Sequence, residues 1–180
     1  MVRKKTDCSR RERTTAIKIK CLNLGSDTKL QAKHEAFSCD KAGVAETPEG
    51  KLLINVDAGF CGDRGCGSTG AIIRDSNGGF IAAAYRFLPY VLDTPTAEAC
   101  ALKEGLELAK QIGCNKFILQ TDCMAVVETI KEEGFSAIAA ATIYEECFIV
   151  WRYMMEATIE HCHREANEGL ANDVALLSNE

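Results

Sequence analysis

The chain has 180 residues, of which 47% are hydrophobic and 26% charged, with a net charge of −5 at pH 7. This composition predicts one folded domain with a flanking segment and excludes the disordered, fibrous and proline-rich classes. The longest apolar runs, such as 137–144, fall short of the roughly 20 residues of a membrane helix. The basic start of the chain also has no apolar segment behind it, as a secretory signal would. We therefore expect an intracellular protein, nuclear or cytoplasmic, that is neither secreted nor bound to a membrane.

The charge is unevenly distributed along the chain. Residues 1–50 carry 11 Lys and Arg against 7 Asp and Glu, whereas residues 51–180 carry 10 against 19. The basic segment could bind phosphate or act as a nuclear localisation signal, or it could be no more than a solvated leader. Because no strand or helix periodicity occurs before Lys51, we interpret residues 1–50 as a basic, disordered leader and 51–180 as the folded domain.

The ten cysteines do not have the spacing of a metal site. No C-x-x-C motif occurs, and the only close pair, Cys61 and Cys66, flanks a glycine-rich loop without a second pair to complete a zinc site. Cys100, Cys114 and Cys147 lie in apolar segments, where cysteine behaves as a small hydrophobic residue. We expect reduced thiols, with disulfides or bound metal as the alternative.

Three strands open the domain. Apolar runs at 52–57, 69–74 and 80–87 have the length of strands, and the turn sequence DSNGG at 75–79 joins the last two. Short connections of this kind favour an antiparallel meander.

Helices alternate with strands in the second half. Thr94-Pro95-Thr96 predicts a helix start with Thr as the cap, and Gly113 predicts its end. The later elements are a strand at 116–121, a helix at 123–133 ended by Gly134, a longer helix at 136–155, a strand at 157–162 and a short helix after Asn167. The order predicts an α/β fold: a mixed five-stranded sheet, the antiparallel meander plus parallel strands, with helices packed on it.

Three acidic residues stand at the ends of these elements. Asp57 closes the first strand, Asp122 separates the fourth strand from a helix, and Glu98 heads the apolar stripe of the first helix. Taken singly, they could be a solvated strand end, a helix N-cap and a first-turn acid favoured by the helix dipole. If the fourth strand pairs parallel to the first, however, Asp57 and Asp122 are adjacent at one sheet edge, and the helix can bring Glu98 over them.

Converging carboxylates indicate a divalent cation. Unpaired charges in a partly buried site repel one another, and a hard cation relieves that repulsion. Mg²⁺ prefers oxygen ligands, and two such ions about 3.5–4 Å apart can activate a water and stabilise the leaving oxygen of a phosphodiester. The sequence therefore predicts a magnesium site at Asp57, Glu98 and Asp122.

Several short segments carry a family resemblance. They are NVDAGF (55–60) with GAIIRDSNG (70–78), TAEACAL (96–102), QTDC (120–123) and IEHCHREAN (159–167). In this order and spacing they resemble type 1 ribonuclease H domains, most closely the reverse-transcriptase-like branch of plant genomes and retroelements. The resemblance covers about residues 51–167.

The resemblance implies Mg²⁺-dependent endonucleolytic cleavage of the RNA strand of RNA–DNA hybrids by in-line attack of water. It implies that Asp57, Glu98 and Asp122 are the catalytic, metal-binding acids, that two Mg²⁺ ions bind and that Mn²⁺ can substitute. His161 matches a mobile histidine that assists product release in some members, or it is a surface residue at a strand end. Recognition would rest on the shape of the hybrid and on 2′-OH contacts to the RNA strand.

The chain departs from the family after Asn167. Family members carry a helix with the motif A-[DH]-x-L-A, whose acid is the fourth catalytic carboxylate, whereas residues 168–176 read EGLANDVAL. We interpret the C-terminal helix as truncated, with Glu168 and Asp173 as candidates to replace the acid. The alternatives to a nuclease are a catalytically degenerate domain that binds nucleic acid and an interaction module in which the acids have no function.

Overall fold

The computed structural model describes residues 50–134 and 138–164. The strands are β1 (Leu52–Cys61), β2 (Cys66–Arg74), β3 (Phe80–Leu88), β4 (Lys116–Thr121) and β5 (Glu156–His161), and the helices are α1 (Thr94–Gln111), α2 (Met124–Glu132) and α3 (Ala141–Trp151). Predictions for the leader, for the C-terminal helix and for Glu168 and Asp173 lie outside the described residues.

The five strands form one sheet in the order β3-β2-β1-β4-β5. The β1–β2 and β2–β3 pairs are antiparallel, whereas β1–β4 and β4–β5 are parallel. The predicted mixed sheet is confirmed, including the placement of the fourth strand beside the first. The carboxyl ends of β1 and β4 therefore lie at the same edge of the sheet.

The turn between β2 and β3 is held by Asp75. Its Oδ1 accepts hydrogen bonds from the backbone N–H groups of Asn77 (2.8 Å) and Gly79 (2.7 Å). Gly78 adopts a φ of 79°, a left-handed conformation that glycine adopts without steric cost. These contacts explain why DSNGG reverses the chain.

Helix α1 packs closely on the central strand at Gly105. A Cβ at this position would lie 2.5 Å from Val56 Cγ1 and 3.5 Å from Ile54 Cγ2. The absence of a side chain thus lets the α1 backbone approach β1. Glu98 shares the buried face of α1 with the apolar residues that form this contact surface, which include Ala101, Leu102, Leu106 and Ala109.

The two ends of α1 differ in how well the sequence predicted them. The N-cap is Asp93, whose Oδ1 accepts a hydrogen bond from the Thr96 N–H at 2.8 Å, so the prediction of a threonine cap is wrong. The carboxylate one residue upstream satisfies the amide of the first turn instead. Gly113, with a φ of 72°, ends the helix as predicted: its N–H donates to Lys110 O, and the Cys114 N–H donates to Ala109 O, the pattern of a Schellman motif.

The helices that follow are shorter than predicted. Helix α2 ends at Glu132, and the left-handed residue after it is Glu133 (φ 47°), not Gly134. In place of one helix over 136–155, a 3-10 turn at Ile138–Ala140 leads into α3, which ends at Trp151.

The register of β5 explains this early end of α3. The N–H groups of Met155 and Glu156 both donate to Asn115 O, at 3.0 and 3.1 Å. These bonds draw the chain out of the helix and align β5 with β4 from Glu156 onward.

All three helices contribute side chains to one hydrophobic core cluster, which lies between the helices and the face of the sheet that they cover. Helix α1 contacts β1, β2, β3 and α3 and thus forms the centre of this layer. None of the described helices combines the length and apolar character needed to cross a lipid bilayer.

Candidate metal centre

Asp57 lies beyond the point where β1 and β4 pair. The last parallel pair is Asn55 with Gln120, whereas Asp57 still pairs with Gly70 on β2. Its side chain is half-buried at the place where β1 and β4 cease to pair. Burial is the main cause that raises the pKa of Asp57, and the negative charge of Asp122 adds to it.

Asp122 follows β4 directly, in the turn that leads to α2. Thr121 accepts two hydrogen bonds that hold this turn in place. Its Oγ1 accepts from the Cys123 N–H (3.2 Å), and its backbone carbonyl accepts from the Cys162 N–H (2.9 Å). The N-cap of α2 is Cys123, without a side-chain capping bond. Asp122 therefore does not cap α2, and its carboxylate can take part in the acidic cluster at the carboxyl edge of the sheet.

Glu98 approaches the same edge from α1. It is the fifth residue of the helix, past the first turn, so the reading of a first-turn acid is wrong. The residue is 7% exposed, and its Oε2 has no hydrogen-bond partner among the described residues. Burial, together with the charges of Asp57 and Asp122, raises the pKa of Glu98 to about 8.

The three carboxylates converge as the topology predicted. One oxygen from each of Asp57, Glu98 and Asp122 can be chosen such that all lie within 4.8 Å of one another. Each acid comes from a different part of the sequence, and each is positioned by a separate element. An ionised, unpartnered oxygen within a buried group of acids is costly unless a cation or a proton compensates its charge.

Arg164 completes the charge environment of this centre. Its Nε lies 3.0 Å from Asp122 Oδ2; the arginine side chain is 82% exposed and the aspartate side chain 9%. The same guanidinium lowers the pKa of Asp57 and of Glu98, against the larger effect of burial. The sequence analysis assigned no role to Arg164. Its position three residues after β5, at the sheet edge that carries the acids, was the signal that could have indicated a contact with them.

His161 lies on the strand next to Asp122. It pairs with Thr121 in the β4–β5 register, is exposed, and its ring centroid is 6.0 Å from that of His163. The structure thus brings His161 to the same sheet edge. Both readings of this histidine, product release and surface residue, stay predictions.

The donor set fits a hard divalent cation. All three ligating groups are carboxylates, no thiolate or imidazole belongs to the cluster as described, and oxygen-only ligands suit Mg²⁺ or Mn²⁺. The orphaned Glu98 Oε2 supplies a lone pair that nothing in the described part of the protein uses. Such a site can bind a metal ion and leave coordination positions for water and phosphate oxygens.

Fold and site together define a ribonuclease H-like domain. Residues 55–175 match the reverse transcriptase-like family, and the chain therefore belongs to that family. The predicted family resemblance is confirmed. A comparison with curated proteins gives no significant match.

Solved ribonuclease H structures share the fold. RNase H1 from the halophilic archaeon Halobacterium salinarum is 19% identical with a TM-score of 0.63, covering 68% of this chain and 93% of that chain. The N-terminal RNase H domain of a Mycobacterium tuberculosis protein is 20% identical with a TM-score of 0.61, covering 72% and 99%. LC11-RNase H1, solved in complex with an RNA/DNA hybrid, is 18% identical with a TM-score of 0.62, covering 70% and 99%. At these identities the similarity establishes the fold.

Proposed function

We propose that this protein is a Mg²⁺-dependent endonuclease that hydrolyses the RNA strand of RNA–DNA hybrids. The observation that carries the proposal is the convergence of Asp57, Glu98 and Asp122 at the carboxyl edge of a ribonuclease H-like sheet. Membership of the reverse transcriptase-like family and similarity to a hybrid-bound ribonuclease H structure support the substrate class.

In this proposal the three acids hold the metal from three directions. Asp57 and Asp122 approach from the ends of neighbouring strands, and Glu98 approaches from the buried side. When bound, Mg²⁺, as one or two ions, supplies an activated water and neutralises charge on the phosphodiester, and Mn²⁺ can replace it. Because the pKa of Glu98 is raised to about 8, metal binding at neutral pH releases a proton from that side chain.

The charge of the domain gives the metal a role in substrate binding as well as in chemistry. Residues 51–180 carry 19 acidic against 10 basic side chains, and such a surface repels the phosphate backbone. Bound cations offset this repulsion at the cleavage site. The exposed guanidinium of Arg164, beside Asp122, adds a positive charge at the same edge.

Several finer assignments belong to the proposal. Residues 51–180 act as the catalytic domain, residues 1–50 as a basic leader that can assist nucleic-acid binding, and Glu168 or Asp173 as the replacement for a fourth acid. The substrate class fits a nuclear or cytoplasmic location.

A cleavage assay tests this function. The full chain with Mg²⁺ is incubated with a hybrid labelled on its RNA strand, and in parallel with duplex DNA of the same sequence. We expect nicks in the RNA of the hybrid and none in duplex DNA. Asp57→Asn abolishes cleavage, whereas Glu128→Gln, which removes an exposed acid on α2, leaves it unchanged.

A degenerate nucleic-acid-binding domain is the second candidate. The acidic cluster has three members in the described ranges, whereas the resemblance to ribonuclease H domains implies a fourth catalytic acid. Binding of the hybrid without cleavage across a full Mg²⁺ and Mn²⁺ titration would favour this candidate over the nuclease.

A further inference from the structure

Cys61 and Cys66 face each other at the tip of the β1–β2 hairpin. They form the last pair of the antiparallel register, and the turn of residues 62–65 connects them. Directly opposed residues of an antiparallel pair have Cα atoms about 4.5 or 5.5 Å apart, and both separations fall in the range of about 4.4–6.8 Å that a disulfide spans. Opposed side chains also project from the same face of the sheet. Both residues are thiols in this structure.

We infer that Cys61 and Cys66 are an oxidation site that forms a reversible disulfide across the hairpin. This inference is independent of the proposed nuclease activity. Cys61 is partly exposed, whereas Cys66 is only 5% exposed. A small oxidant therefore reaches Cys61 first, and Cys66 acts as the resolving thiol.

The co-reactant is a low-molecular-weight disulfide such as oxidised glutathione. The Cys61 thiolate attacks one sulfur of the small disulfide, whose S–S bond breaks and releases one thiolate. The Cys66 thiolate then attacks the Cys61 sulfur of the mixed disulfide and releases the second one. The two protons of the cysteines pass to the two leaving thiolates, so that one small disulfide is reduced to two thiols for each protein disulfide formed.

The other described cysteines are not paired with a second cysteine across two strands. Cys100, Cys114, Cys123, Cys147 and Cys162 lie outside the strands, so none of them stands opposite another cysteine in a strand register. These residues therefore serve as internal references for disulfide formation at the hairpin.

The hairpin tip also holds the segment before α1. Gly65 O accepts a hydrogen bond from the Val91 N–H at 2.9 Å, and Val91 Cγ1 packs against Gly67. A disulfide that closes the tip restricts the unfolded chain and fixes this contact surface. We expect the oxidised protein to melt about 4 °C or more above the reduced protein.

Peptide mapping of the full chain tests the inference. The reduced protein is equilibrated in buffers of increasing ratio of oxidised to reduced glutathione, the thiols are trapped with N-ethylmaleimide, and the protein is digested with trypsin. Because trypsin cleaves after Lys51, Arg64 and Arg74, the disulfide joins peptide 52–64 to peptide 65–74. We expect this linked pair at a ratio at least tenfold more reducing than the ratio that modifies Cys114.

Variants separate the pair from non-specific oxidation. Cys61→Ser and Cys66→Ala each abolish the linkage and the rise in melting temperature, whereas Cys114→Ser retains both. The inference is overturned if peptides 52–64 and 65–74 of the wild type carry only trapped thiols or mixed disulfides at every ratio. It is equally overturned if they link to other cysteine peptides of the chain to a similar extent. None of these readouts depends on cleavage of nucleic acid.

Discussion

Arg164 Nε lies 3.0 Å from Asp122 Oδ2, across 42 positions of sequence. The pair joins an exposed cation to one of the three acids that form the candidate metal centre. A guanidinium at this oxygen competes with any metal ion for the same lone pairs, and its charge repels the ion.

Removal of the arginine should therefore strengthen metal binding. Because exposed ion pairs contribute about 0.2–1 kcal/mol, we expect Arg164→Ala to tighten Mn²⁺ binding in the absence of nucleic acid by about 1.5–5-fold. Calorimetric titration measures the change, with Arg152→Ala, an exposed arginine after α3, as the matched control. Weaker binding by Arg164→Ala would show instead that the arginine orients Asp122 for the metal.

Glu98 should make the metal-free protein less stable as the pH rises. Its pKa is about 8 in the folded protein against 4.5 for an ordinary glutamate, so the folded state retains a proton that the unfolded state loses in this range. The contribution of Glu98 to stability is therefore greatest at the acidic end and falls as the pH rises from about 4.5 to about 8, by up to about 5 kcal/mol. Asp57, whose pKa is also raised, acts in the same direction.

Urea unfolding at several pH values in a metal chelator measures this slope. Glu98→Gln should flatten it and should stabilise the metal-free protein at pH 8. Saturating Mg²⁺ should also flatten it for the wild type, because the cation stabilises the ionised carboxylate. A slope that is the same in wild type and Glu98→Gln would contradict the assignment.

Two ion pairs of equal length should differ in their contribution to stability. Arg86 Nε lies 2.7 Å from Glu104 Oε2, and Lys116 Nζ lies 2.7 Å from Glu156 Oε1, but the glutamate side chains are 4% and 49% exposed. Arg86→Ala leaves a buried carboxylate without its cation and should destabilise the protein by about 3 kcal/mol. Lys116→Ala should cost about 1 kcal/mol or less. Equal losses in chemical unfolding of the two variants would be inconsistent with this account.

Gly105 should tolerate no side chain. The methyl group of Gly105→Ala would lie 2.5 Å from Val56 Cγ1 and push α1 away from β1, at a cost of about 1–3 kcal/mol in unfolding free energy. The displacement also separates Glu98 from Asp57, so metal affinity should fall. Gly134→Ala is the control, because its nearest contact would be at 3.7 Å. The expectation fails if both alanine variants unfold at the same urea concentration.

The sequence predicted the convergence of the three acids better than it predicted the ends of the elements. Asp57 and Asp122 stand at the ends of apolar runs, and a helical connection between these two strands favours their parallel pairing. The helical period places Glu98 on the same face of the helix as the apolar residues. The cap of α1 was missed because Asp93 and Thr94 both suit that position, and only the bond to the Thr96 N–H decides between them. The end of α3 was missed because it depends on bonds from Met155 and Glu156 to Asn115, which are distant in sequence.

The contact of Arg164 with Asp122 was missed for a similar reason. No helical or strand period relates two residues in separate turns, and their proximity follows only from the parallel register of β4 and β5. The opposition of Cys61 and Cys66 also depends on the register of the β1–β2 hairpin, which continues beyond the apolar runs from which the two strands were predicted.

A direct titration of the metal tests whether the three acids form one cation site. The full chain is titrated with Mn²⁺ and the bound ion is followed by electron paramagnetic resonance, for the wild type, Asp57→Asn and Glu128→Gln. We expect the wild type and Glu128→Gln to bind with the same affinity and Asp57→Asn to bind at least tenfold more weakly while it remains folded, with an equal or higher melting temperature. Unchanged Mn²⁺ affinity in Asp57→Asn, or no binding by the wild type, would contradict the account.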